Sequence, residues 1–318
     1  MSRFMLVSLT LALGACANVA SIPLLGNATY PEGIAAHAHT QELFVGGVAN
    51  GDIQRVDAQG EVTFFKEAHE DGLANVIGLA VDPERNRLFV CSTSFFDPTV
   101  APSLVVFDTV TGDRLASLSA PDDGLPHFFN DVAVDSAGRA YVTDSFAPIV
   151  YTVGVELESL DVLATDPAFV LDPQGFNLNG IAITTDDRFA IASVATLAGI
   201  GQLFRIGLDD GSVQPLSTPA SFSGVDGLLT LNARTMVGIG GSSSVQRFDF
   251  NDNFDTVNVT SVPEADEFLD FPTTAARLGA RIFVVNSQLD HFVPGQPAFG
   301  TDPELPFEVV GFSSWWLR

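Results

Sequence analysis

Asn130-Asp131-Val132-Ala133 and Asn179-Gly180-Ile181-Ala182 open two copies of one repeat, and four further copies flank them. These begin at Glu32-Gly33-Ile34-Ala35, Ile77-Gly78-Leu79-Ala80, Asp226-Gly227-Leu228-Leu229 and Pro272-Thr273-Thr274-Ala275. The starts are roughly 45 to 53 residues apart, the length of a four-stranded propeller blade. Second strands recur in phase at Leu43 to Gly46, Leu88 to Cys91, Ala140 to Thr143, Phe189 to Ala192, Thr235 to Gly238 and Ile282 to Val285. Third strands follow at Ile53 to Asp57, Leu104 to Asp108, Ile149 to Val153, Leu203 to Gly207, Val245 to Asp249 and Phe307 to Phe312. Asp57, Asp108 and Asp249 share one place in the repeat and read as turn aspartates that receive backbone N–H groups.

The fold expected is therefore all-β: a single-domain, six-bladed β-propeller of four-stranded antiparallel blades. The chain ends soon after Phe312, which leaves the sixth repeat without a fourth strand of its own. Ile22-Pro23-Leu24-Leu25 is expected to supply it, closing the ring and removing a sheet edge.

The N-terminus reads as an export leader. Arg3 is basic, Phe4 to Leu13 is apolar but too short to span a bilayer, and Leu13-Gly14-Ala15-Cys16 resembles a lipoprotein signal. An ordinary secretory leader cleaved after Ala15 or Ala17 is the alternative. The expected layout is a leader over 1–16, a linker over 17–21 and the propeller over 22–318. The protein is then exported, either to the cell envelope with its only membrane attachment a lipid on Cys16, or into the medium. Cys91, in an apolar strand-like run, is expected to be a buried thiol, and no disulfide framework is available.

The formal charge is −25, from 14 basic and 39 acidic residues, and Lys66 is the one lysine. Such a field repels polyanions and excludes nucleic acid as a partner. No Gly-Lys phosphate loop and no serine-nucleophile elbow is present.

The innermost strand of each propeller blade lines the central channel, so residues at its start converge at the mouth. Glu32, Ile77, Asn130, Asn179, Asp226 and Pro272 hold that position, and four of them carry oxygen ligands. Each alone is an ordinary turn residue before glycine. Together, two carboxylates in a narrow channel would repel each other and lose hydration unless a cation joins them. Glu32, Asn130, Asn179 and Asp226 are therefore candidate ligands of one divalent cation. Hard oxygen donors without histidine or cysteine suit calcium, with magnesium, manganese and zinc as further candidates.

With these residues in view, the chain resembles the senescence-marker-protein, gluconolactonase and luciferin-regenerating-enzyme family, and more distantly the diisopropyl fluorophosphatases and paraoxonases. The resemblance runs from Tyr30 to about Asp290. It is carried by Tyr30-Pro31-Glu32-Gly33, Phe129-Asn130-Asp131-Val132-Ala133-Val134-Asp135, Asn177-Leu178-Asn179-Gly180-Ile181-Ala182 and Val225-Asp226-Gly227. It implies that Glu32, Asn179 and Asp226 are metal ligands, that Asn130 contacts metal or substrate, and that Asp226 is general base or nucleophile. It also implies metal-dependent hydrolysis of a lactone or related ester. His127, close to Asn130, is a candidate proton shuttle. Asp144 and Ser145 are candidate supports of the site or strand-end turn residues. His37 and His39 fall in the first strand of blade one as packing or channel-wall residues; His69 and His291 read as loop residues. Phe128 stands where the family's sugar-lactone hydrolases carry a substrate-holding arginine; with Phe95, Phe96 and Phe129 it points to a more apolar mouth. The competing expectation is a non-catalytic envelope propeller with a structural calcium ion, binding a small ligand or a protein partner.

Overall fold

The computed structural model describes residues 19–95, 97, 99–173, 175–196, 198–240, 245–292 and 302–313. The expected export leader and the lipidation expected at Cys16 fall outside the described residues. Six four-stranded antiparallel sheets form the blades of a β-propeller. Their innermost strands are Pro31–His37, Asn75–Asp82, Phe129–Val134, Leu178–Ile183, Gly227–Asn232 and Pro272–Leu278. Three short 3-10 turns are the only helical segments among the described residues, and none of these is long and apolar enough to cross a membrane.

The ring closes as the sequence predicts. Ala20–Pro23 pairs antiparallel with Glu308–Ser313, placing Ile22 opposite Val309, and the Leu24 N–H donates to the Phe307 carbonyl at 2.7 Å. Blade six is thus built from both ends of the described chain. Ala20 and Ser21, expected in a linker, are the first two residues of that strand.

The blades pack face to face. The second and third strands of each blade are almost wholly buried because both of their faces meet a neighbouring sheet. One such layer sets Tyr141, Val150 and Phe169 against Ile181, Ala192 and Phe204. Burying each of these larger side chains is worth roughly 1.5–3 kcal/mol. Cys91 is buried in another such layer, with Phe89, Leu104 and Phe129, and burial raises its thiol well above its usual titration range.

The start of the inner strand is a β-bulge in five blades. Glu32 and Gly33 together oppose the single residue Gly46, Asn130 and Asp131 oppose Thr143, and Asn179 and Gly180 oppose Ser193. Ile77 and Gly78 oppose Cys91, and Thr273 and Thr274 oppose Val285. A bulge re-aims side chains and frees backbone groups from the ladder. Here hydroxyls from the opposing strand recover them across the blade boundary. Thr143 Oγ1 accepts from the Asp131 N–H at 3.0 Å and donates to the Asn179 carbonyl at 2.7 Å. Ser193 Oγ donates to the Val225 carbonyl at 3.1 Å.

The bulge register corrects the sixth ring position. Thr273, not Pro272, is equivalent to Glu32, and its Oγ1 donates to the Glu32 carbonyl at 2.8 Å. The glycines after the site residues are likewise not turn glycines. A Cβ on Gly180 would stand 2.2 Å from the Asp226 carbonyl oxygen, so glycine is required there for close approach of two inner strands.

Asp57 and Asp108 are turn aspartates: Asp57 Oδ1 accepts from the Gln59 and Glu61 N–H groups, and Asp108 Oδ1 from those of Val110 and Thr111. Asp249 is not. It lies within the strand Val245–Phe250 and binds Arg247 at 2.7 Å and the Thr235 hydroxyl at 2.8 Å.

Candidate functional site

The bulges at Glu32, Asn130 and Asn179, together with Asp226 just before an inner strand that starts without a bulge, bring four polar side chains to the wall of one cavity of about 270 Å³ at the channel mouth. Val48, Ile77, Phe95, Phe128, Phe176, Leu289 and Phe292 complete its lining. A larger groove of about 560 Å³, bordered by Ile200, Phe222 and Gln246, is lined by no ionisable side chain. The chemistry therefore lies in the smaller cavity.

Each of the four polar residues is held by its backbone or its amide nitrogen, with oxygen left over. Asn130 Nδ2 donates to Ser145 Oγ at 2.9 Å, and Ser145 Oγ in turn donates to the Leu178 carbonyl at 2.5 Å. The Glu32 carbonyl accepts from the Thr273 and Thr274 hydroxyls, which fixes the residue while its carboxylate faces inward. Glu32 Oε2 and Asn179 Oδ1 are buried and have no hydrogen-bond partner. Buried polar atoms in native proteins are nearly always satisfied, so two orphan acceptors on one cavity call for a donor or a cation.

The electrostatics point the same way. Burial pushes the Glu32 carboxyl well above its ordinary range, and the charges of Asp226 and Asp131 push it further. Asp226 is half-buried and opens onto the cavity. Burial, then the charge of Asp131, raises it to about 7, against a lowering hydrogen bond from the Asn179 side chain. Glu32 and Asp226 thus titrate as a pair that resists holding two negative charges. Asp131 is raised by burial to about 7, although its oxygens accept from the Val132 and Ile181 N–H groups at 2.8 and 3.0 Å.

A hard cation fits this donor set. It would meet two carboxylates that repel each other and two amide oxygens, one of them an orphan. No group of three His, Cys, Asp or Glu that could hold a metal occurs among the described residues, so the set depends on the asparagines.

Of the expected site residues, His127 does not join the cavity. Its Nδ1 lies 2.6 Å from Asp144 Oδ2 and its Nε2 3.1 Å from Asp123 Oδ1. The Asp144 hydrogen bond raises its pKa, with burial opposing, and both ring nitrogens are occupied by carboxylates. With both ring nitrogens turned to carboxylates and neither on the cavity wall, His127 stands in this structure as a strut between Asp144 and Asp123. Asp144 ties this strut to the Phe128 N–H at 2.9 Å, and Ser145 braces Asn130, so both support the site. His37 is buried at the far end of its strand, 3.1 Å from Asn86 Oδ1. His39 is not in that strand, which ends at His37; it is exposed beside Glu84. Phe95 and Phe128 line the cavity, whereas Phe129 is core, its ring tilted against Tyr151 at 5.5 Å between centroids. Phe96 lies outside the described residues.

Sequence reasoning missed Val48, Phe176, Leu289 and Phe292, which come from connecting segments of unequal length and have no repeat phase. It also passed over Asp131. That residue occupies the position held by Gly33, Gly78, Gly180 and Gly227, and a carboxylate in a glycine column was the available signal.

Residues 30–263 match the family model described as the SMP-30/Gluconolactonase/LRE-like region. An uncharacterized protein, YncE, from Salmonella typhi is 30% identical over 124 residues, 39% of this chain and 33% of that protein. The chain thus matches about a third of the length of that curated relative. Among solved structures, the Malassezia sympodialis allergen Mala s 1 superposes with a TM-score of 0.69 at 14% identity, covering 92% of this chain and 95% of that one. A gluconolactonase from Xanthomonas campestris gives 0.60 at 16%, covering 93% and 90%. A PQQ-bound aldose sugar dehydrogenase from Streptomyces coelicolor gives 0.64 at 16%, covering 93% and 98%. At such identities the likeness is one of fold.

Proposed function

The chain belongs to the SMP-30/gluconolactonase/LRE-like family, and from that premise we propose that it is a metal-dependent hydrolase of a lactone or related ester, acting in the cavity at the channel mouth. The observation that carries the proposal is the pair of orphan buried oxygens, Glu32 Oε2 and Asn179 Oδ1, on the same cavity as Asp226. Glu32, Asn130, Asn179 and Asp226 would hold a divalent cation, most suitably calcium, which would supply the positive charge that polarises an acyl oxygen and stabilises the oxyanion.

The protein's own groups do the rest. Glu32 and Asn179 present fixed oxygens, and Asn130, braced by Ser145, orients the substrate. Asp226, whose carboxylate opens onto the cavity, takes a proton from the attacking water. Water oxygen bonds to the acyl carbon, the ring C–O bond breaks, and the departing oxygen receives the proton from Asp226 to become an alcohol. The new carboxylic acid then ionises, so one proton is released per turnover at neutral pH.

The test is turnover of a lactone panel by purified protein, followed by proton release, with calcium and after chelation. Calcium-dependent turnover lost in Asp226→Asn is the expected result. Calcium binding without turnover of any lactone or ester would instead support the non-catalytic platform.

A further inference from the structure

The walls of the cavity differ in chemistry from its floor. All four hydrogen-bonding side chains belong to the candidate metal set; every other lining residue is aliphatic or aromatic. Phe95, Phe128 and Phe176 form one aromatic surface, with Phe128 4.9 Å from Phe95 and 5.1 Å from Phe176 between ring centroids. Phe146 extends it outward, 5.4 Å from Phe176, and the two are 40% and 37% exposed.

Charge is distributed just as unevenly. The described residues of the segments joining second to third strands, and fourth strands to the next blade, lie on the mouth face. None of these segments contains an arginine or a lysine. They carry acidic residues such as Asp97, Asp123, Asp172 and Asp270. The arginines gather toward the opposite face, among them Arg85, Arg139, Arg188 and Arg234 in or beside the turns between first and second strands. Lys66, at the end of its strand near the mouth side, is buried and paired with Glu70 and Asp71.

We infer that the substrate is an uncharged lactone bearing an alkyl or aryl substituent, which lies against Phe95, Phe128 and Phe176 while its acyl oxygen faces the four-oxygen floor. This rests on the hydrolase reading of the same cavity. Sugar hydroxyls would be buried against walls with no side chain to pair them, and each unpaired hydroxyl lowers affinity on the order of tenfold. Carboxylated or phosphorylated substituents, lying against the aromatic wall away from the four-oxygen floor, meet no arginine or lysine of the mouth segments to receive them and an acidic field that repels them. The same field favours departure of the product, which gains a carboxylate when the ring opens.

Non-hydrolysable γ-lactams separate substrate class from catalysis. Calorimetry of calcium-loaded protein would compare 5-methyl, 5-butyl, 5-hexyl and 5-phenyl lactams with a polyhydroxylated lactam and a carboxylate-bearing one. Affinity is expected to rise about fourfold per methylene until the chain outgrows the cavity. The hydroxylated and anionic probes should bind at least a hundredfold more weakly than the hexyl lactam. Phe176→Ala, at a half-exposed site that does not endanger folding, should weaken the hexyl and phenyl probes on the order of tenfold and leave the methyl probe unchanged. Phe128→Ala should do the same if it folds. Preference for the hydroxylated or anionic lactam, or affinity flat along the alkyl series, would overturn the inference. Binding in the expected order without hydrolysis of the matching lactones would uphold the inference about the cavity and refute the hydrolase reading instead.

Discussion

Replacing Asp226 with asparagine should make the metal-free protein more stable. In the folded chain the carboxyl of Asp226 is raised from 3.8 to about 7 by burial and by Asp131. A group whose folded pKa is raised contributes stability that is complete below its unfolded value and is lost as pH rises through its folded value. For Asp226 that window runs from about pH 4 to about pH 7. A tenfold change in proton affinity corresponds to about 1.4 kcal/mol, so ionising this group costs the metal-free fold about 2–4 kcal/mol at pH 8, the lower end reflecting solvent that reaches the half-buried cavity. Asparagine keeps the shape and can still accept the hydrogen bond from Asn179. It removes the charge, and it also relieves Glu32, which Asp226 raises. Urea unfolding in chelator at pH 5 and pH 8 would read the difference. Asp226→Asn should exceed the native chain in stability at pH 8 by about 2–4 kcal/mol and by roughly a third of that at pH 5. Saturating calcium should reverse the order, because the native chain then gains binding energy that the variant lacks. A variant no more stable than the native chain at pH 8, or a gain independent of pH, would refute the reasoning.

Other perturbations separate the supports of the site from its working groups. Gly180→Ala places a Cβ against the Asp226 carbonyl oxygen and the Leu228 backbone nitrogen; it should cost about 1–3 kcal/mol in urea unfolding and weaken calcium binding with it. Ser145→Ala frees the Asn130 amide and leaves the Leu178 carbonyl unpaired; calcium affinity measured by titration should fall about 10- to 100-fold, with the fold intact by circular dichroism. His127→Gln removes the contacts to Asp144 and Asp123. Because the His127 pKa is raised in the folded state, the stability it contributes is full below its ordinary value and lost as pH rises through the folded one. The variant should therefore lose more stability at pH 6 than at pH 9, with kcat/KM on a good lactone changed by less than threefold.

The blades were legible because six inner strands repeat at one spacing, and the closing strand because the sixth repeat lacked a partner. The four floor residues were legible for the same reason: they share one phase, and phase in a closed ring becomes convergence in space. The bulges were not, since a pair such as Asn179-Gly180 looks locally like a turn. Only the neighbouring strand, close enough to exclude a Cβ on Gly180, explains the glycine. The sixth ring position is Thr273 rather than Pro272 because Thr273-Thr274 carries no glycine to mark the phase, and only the ladder register, with the same bulge as in blade one, fixes it. Asp249 departs from Asp57 and Asp108 because Arg247 and Thr235 compete successfully for its carboxylate. The aromatic wall was half legible: Phe95 and Phe128 adjoin the repeat, whereas Phe176 and Phe292 arrive from long connections whose paths no periodicity records.

The central claim is that Glu32, Asn130, Asn179 and Asp226 form one cation site. An equilibrium calcium titration of the chelator-stripped protein, followed by calorimetry at pH 8 with Asp226→Asn alongside, tests it most directly. The account predicts one calcium ion per native chain and an affinity at least a hundredfold weaker in the variant. A native chain that binds no calcium, or a variant that binds it as tightly, would contradict the account.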